Sequence, residues 1–178
     1  MKLLRTIRLD PSDTFVFERA ADPGEWAVSG AFVFADVDPA MLQGKERSAF
    51  RGGFLGVTSL GWSTLVQIVD ASDEDRERLI AELSQRLVET FGAPDLEAAR
   101  AAAEEEVAFT ASLCNQPQDT LVAVHRSFEG GEIREAFRSL HAKGDARPLR
   151  AFSFLEVEGD DETADQVDLV QLAQGERK

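Results

Sequence analysis

Tyrosine is absent from this chain of 178 residues, and cysteine occurs once, at Cys114. The first absence excludes a tyrosyl acid or nucleophile. The second excludes an intramolecular disulfide and any metal site built from several thiolates. Histidine is scarce too, with only His125 and His141. Neither has a cysteine or carboxylate at ligand spacing, so both are read as structural or surface residues, and no metal or cofactor is expected. No apolar run approaches the roughly 18 residues of a membrane-spanning helix. The opening Met1-Lys2-Leu3-Leu4-Arg5, with further charge at Arg8 and Asp10, is unlike a signal peptide. A cytoplasmic location is the expectation. Basic residues are in deficit, 19 Lys and Arg against 33 Asp and Glu, for a formal net charge of −14. That field repels phosphate backbones and anionic bilayers, which argues against nucleic acid and membrane as partners.

What is present is core material. Apolar residues make up 43% of the chain, and its aromatics are twelve Phe and two Trp. Phe offers apolar area and no polar handle, which suits an interior. The length fits one domain. Residues 1–158 read as a single α+β domain. Residues 159–178, rich in Asp160, Asp161, Glu162, Asp165 and Asp168, read as an acidic, partly ordered C-terminal segment.

Along the chain, 2–9 reads as a strand ending at Asp10-Pro11-Ser12-Asp13, and Phe15 and Phe17 share a face after it. Glu25 to Ala35 reads as a long strand, apolar on both sides and therefore central. Asp38-Pro39 opens a short helix to about Ser48, and 62–69 is a strand. Ser72 followed by Asp73-Glu74-Asp75 caps a helix with the stripe Leu79, Ile80, Leu83, Leu87, Val88 and Phe91. A second helix from Pro94-Asp95 carries a narrow stripe built of small residues, Leu96, Ala99, Ala103, Val107, Ala111 and Cys114. The two form an antiparallel hairpin. Residues 120–128 and 150–158 read as strands. Ile133, Phe137 and Leu140 have helical spacing, which predicts a helix over 132–142; a hairpin strand is the rival. The element order predicts an α+β fold, a mostly antiparallel sheet with the helix hairpin on one face. Phe-x-Phe pairs at 15/17, 32/34 and 152/154 would stack rings on one side of that sheet.

The candidate site lies in the stretch Lys45 to Gly56. Arg47 and Arg51 are one helical turn apart, and Gly52-Gly53 follow. Arginine forks carboxylate or phosphate, and glycine N–H groups can form an anion-binding nest. The bland reading is a turn with arginines paired to surface acids. Cys114 reads as a buried, inert thiol. Glu104-Glu105-Glu106 point in three directions around a helix and read as a solvated face. Arg126 belongs to a locally basic region that extends to Arg150. No residue is assigned a catalytic role.

The opening ten residues, the Glu25-Trp26-Ala27-Val28-Ser29-Gly30 strand and the Phe50-Arg51-Gly52-Gly53-Phe54 loop resemble a family of uncharacterised short alphaproteobacterial proteins. The resemblance implies a role accessory to a metabolic or redox enzyme system. Two functional expectations follow. One is a non-enzymatic accessory domain that binds a protein partner. The other is a small-molecule enzyme or ligand-binding domain holding an anion at Arg47, Arg51, Gly52 and Gly53.

Overall fold

The computed structural model describes residues 1–142 and 155–158. Strand alternation puts Leu3 on one side of β1 (Lys2–Ile7) and Leu4 on the other, and both are fully buried. The elements that follow are α1 (Asp13–Val16), β2 (Trp26–Val28), α2 (Gly44–Gly52), β3 (Phe54–Gly56), β4 (Trp62–Ser63), β5 (Leu65–Asp70), α3 (Asp73–Glu89), α4 (Leu96–Ser112), β6 (Leu121–Glu129), β7 (Glu132–Ala142) and β8 (Leu155–Glu158). The strands form one curved sheet in the order β4-β3-β2-β1-β5-β6-β7-β8. Every neighbouring pair in it is antiparallel. With α3 and α4 packed together on one face, the architecture is α+β, as the element order predicts.

The two long helices start where local chemistry says they should. Ser72 Oγ accepts the Asp75 N–H at 3.1 Å while the Asp75 carboxylate accepts the Ser72 N–H at 3.0 Å, a reciprocal cap. Asp95 accepts the Ala98 N–H at 2.8 Å and starts α4 with a one-way cap. Leu79, Ile80, Leu83 and Leu87 on α3 meet Ala99, Ala103 and Val107 on α4, together with Leu3, Val28 and Leu55 from the sheet. The small residues on α4 let it approach closely. A second cluster uses the opposite strand parity: Leu4, Ala27, Phe54, Val66, Ile68, Val122 and Val124, with Cys114.

Several expectations are corrected. The strand over 25–35 is only Trp26–Val28, because Gly30 adopts φ 78° and a 3-10 turn, Ala31–Phe34, follows. A Cβ at Gly30 would also lie 2.6 Å from that of Leu55. Phe32 and Phe34 therefore diverge: Phe32 meets Phe91 edge-on, and Phe34 stacks on Trp62. Phe15 and Phe17 diverge as well, Phe15 being 73% exposed and Phe17 buried, so these two pairs do not stack along the sheet. The 152/154 pair lies outside the described residues, as do 150–154 of the strand expected over 150–158. The helix expected from Asp38 is a 3-10 turn, Pro39–Met41, followed by the separate helix α2.

Residues 132–142 are strand β7, not a helix. Gly130 and Gly131 both have positive φ, 61° and 85°, and join β6 to β7 through a two-residue turn in which Glu129 pairs with Glu132. Left-handed backbone at both central positions is what a tight hairpin turn requires, and only glycine adopts it at no steric cost.

Candidate functional site

Arg126 decides how the sheet closes. In a flat sheet β2 and β6, separated by β1 and β5, would lie roughly 14 Å apart. Yet the Arg126 guanidinium, on β6, donates to the carbonyl of Ser29 just past β2. It also donates to the carbonyls of Gly53 at 2.7 Å and Phe50 at 3.2 Å, and its Nε donates to Glu135 at 2.7 Å. One side chain bridges these elements because the sheet curls around it. Arg126 is 1% exposed, not part of a basic surface. Burial pushes its guanidinium below the ordinary value, and Glu135 acts in the opposite direction. Ser29 Oγ donates to the same Glu135 oxygen at 2.5 Å. The donors of this cluster are engaged inside the fold, so its work is structural.

The expected anion site takes a different form from a loop. Arg47 and Arg51 stand exposed on α2, one turn apart. Gly52 ends the helix, and Gly53 is buried in extended backbone with its N–H donated to Ala49 at 3.0 Å and its carbonyl held by Arg126. A helix C-terminus carries partial negative charge, and the Gly53 N–H is already spent. The two arginines lie one turn apart on α2, and the Gly53 N–H does not join them.

Beside α2 lies a groove that sequence reasoning did not assemble. Val33, Phe34, Val37, Leu42, Ala49 and Trp62 line about 340 Å³, with Glu18, Lys45 and Glu46 at its rim. Phe34 and Trp62 stack at 5.3 Å, and Phe50 meets Phe34 edge-on at the same distance. The wall formed by residues 31–42 is held by short-range turns: the N–H groups of Val33, Val37, Met41 and Leu42 bond to Gly30, Phe34, Asp38 and Pro39. Large apolar side chains stand in solvent on the segments that adjoin α2 and on the 31–42 segment. Met41 is 74% exposed, and Phe15, Val16 and Val37 are exposed too, with α1 resting against α2.

The remaining candidates are plainly placed. His125 points outward from β6, and His141 lies in β7 rather than at a helix end. Cys114 is buried just past α4, its Sγ donating to the Thr110 carbonyl at 3.4 Å. Burial pushes its thiol up to about 11. A raised thiol pKa lowers the thiolate fraction, and the thiolate is the reactive form. Thiol-reagent labelling of native protein at pH 8 should therefore be far slower than in denaturant, and equal rates would contradict this placement. Glu106 is no part of a solvated face: its carboxylate accepts the Gly30 N–H at 3.0 Å. Among the described residues no three His, Cys, Asp or Glu side chains are placed to hold a metal ion. No helix there is long and apolar enough to cross a membrane.

The chain belongs to a family of unknown function, DUF6505, whose profile spans residues 1–155. No curated protein matches the chain, and no solved structure does.

Proposed function

We propose that this member of the family is a non-enzymatic, protein-binding accessory domain, and that its groove receives a basic segment carrying an apolar anchor. The observation that carries the reading is an open apolar groove lined by Val33, Phe34, Leu42, Ala49 and Trp62, with the exposed Val37 among its lining residues. Exposed apolar surface of this kind, rimmed by charge, marks interaction sites, and a pocket that takes one aromatic or aliphatic anchor supplies most of an interface's binding energy. Charge selects the occupant. Two of the three rim charges, Glu18 and Glu46, are acidic, and the chain carries −14 overall. A lysine- or arginine-bearing segment is drawn to that field and an acidic one is repelled.

The test is selection of displayed random peptides on the whole protein. Enriched peptides should pair Lys or Arg with an aromatic or aliphatic residue, and their affinity should fall as salt rises. Val37→Glu, at an exposed groove position, should weaken binding by roughly tenfold or more, as loss of an anchor contact does. The added negative charge would by itself favour a basic peptide, so weakening reports the groove rather than the field. Acidic enriched peptides, or affinity untouched by Val37→Glu, would overturn the reading.

The anion-binding reading keeps one observation in its favour. Among the described residues, Arg47 and Arg51 form no ion pair, although acids outnumber bases in the chain. A gain in thermal stability in phosphate or dicarboxylate that Arg51→Ala removes would favour it over peptide binding.

A further inference from the structure

A second cavity, of about 360 Å³, is lined by Phe32, Leu87, Ala102, Glu105, Glu106 and Phe109. The turn Ala31–Phe34 separates it from the groove, since Phe32 lines this cavity while Val33 and Phe34 line the other. Its volume lies in the range of small-molecule sites. We propose that it binds a small organic cation, an ammonium or amidinium on an apolar body, with Glu106 as the counter-ion.

The carboxylate of Glu106 is half spent. Its Oε1 accepts the Gly30 N–H at 3.0 Å, whereas Oε2 accepts no hydrogen bond among the described residues. No Lys or Arg there forms an ion pair with it; the nearby Arg126 directs its donors to Glu135, Ser29, Phe50 and Gly53. Burial, with Glu135 adding repulsion, pushes the Glu106 carboxyl above its ordinary range, and the Gly30 hydrogen bond and Arg126 offset this only in part. A partly buried carboxylate without an ion-pair partner, in a cavity whose lining is apolar apart from it and the exposed Glu105, gains from a ligand that brings the charge. Phe32 and Phe109, both in the lining, offer aromatic area to the apolar body of such a ligand. Phe109 is 38% exposed and held against Phe137 at 5.9 Å, which leaves the cavity a wall reachable from solvent. An anion would meet Glu105 and Glu106 together. A neutral ligand would leave the carboxylate as it found it, and a bare ion would leave the apolar walls uncovered.

The experiment titrates the whole protein with 2-phenylethylammonium, with 2-phenylethanol and 3-phenylpropanoate as neutral and anionic comparators, by calorimetry and by NMR. The ammonium should bind saturably and roughly tenfold or more tighter than the alcohol, the size of a charge-assisted hydrogen bond, and the carboxylate should not bind. Glu106→Gln keeps an acceptor for Gly30 and should weaken the ammonium by a similar factor. Ala102→Phe fills the cavity from an exposed helix position, leaves the carboxyl alone, and should block binding even if the Gln variant folds poorly. The proposal is independent of the groove, so Val37→Glu should leave ammonium affinity unchanged. Equal affinity for ammonium and alcohol overturns the proposal. So does ammonium binding that survives Ala102→Phe, or binding weaker than about 1 mM.

Discussion

Arg126→Met is expected to destabilise the protein by about 3–5 kcal/mol, the cost of removing one partner from a buried ion pair. Methionine has a comparable length and fits a crowded interior, so the loss reports chemistry more than volume. With the guanidinium gone, Glu135 keeps a largely buried charge without its partner. The carbonyls of Ser29, Phe50 and Gly53 lose the donor that ties the end of β2 and the start of β3 to β6. Removing both charges together, Arg126→Met with Glu135→Gln, should recover only part of the loss, because the three carbonyls stay unmatched. Urea titration checks this. A loss below about 1 kcal/mol for the single variant would mean that the sheet curls without this arginine.

The second large effect lies on the other side of the sheet. Leu83 on α3 is fully buried among Leu79, Ile80 and Leu87 and the small-residue stripe of α4. Leu83→Ala should cost about 2–5 kcal/mol, the transfer free energy of the lost atoms plus the cavity left behind. Two packed helices, each capped at its N-terminus, relax little around a void, which favours the upper part of that range. A loss below about 0.5 kcal/mol, the size of an ordinary surface effect, would contradict the packing.

These two residues show what was legible in the amino-acid order and what was not. Leu83 was visible at once, because a helix starting at Ser72-Asp73-Glu74-Asp75 and repeating apolar residues every three or four positions has one way to bury them. Class, sheet type and helix hairpin followed from such local signals. Arg126 was hidden among neighbouring basic residues. Its signal was parity: it falls in step with the inward-facing Val122 and Val124. Glu135 lies as far past Gly130-Gly131 as Arg126 lies before it, so a hairpin there makes them cross-strand partners. Ile133, Phe137 and Leu140 suggested a helix because Glu135, an acid at an inward position, broke the alternation that a strand would otherwise show. The charge that concealed the strand is the one that satisfies Arg126.

The groove was illegible for another reason. Its lining comes from the 31–42 segment, α2 and β4, which meet only after Gly30 has turned the chain out of β2 and Trp62 has come under Phe34. None of those residues forms a motif with its sequence neighbours. Arg47 and Arg51 were the reverse case, a local pattern that predicted a constellation. Their helical spacing is as expected, but Gly53 is committed to the interior because it starts the backbone toward β3.

Trp62 gives the most direct test of a groove that receives a partner's anchor, because its indole is part of the floor. Trp26→Phe leaves Trp62 as the sole indole, since the chain has two tryptophans. A basic peptide selected on the protein should then move the Trp62 emission to shorter wavelength as water leaves the groove. The change should saturate at the affinity measured by calorimetry and should vanish in Val37→Glu. Peptide binding at that affinity with the Trp62 emission unaltered would place the partner elsewhere and contradict the account.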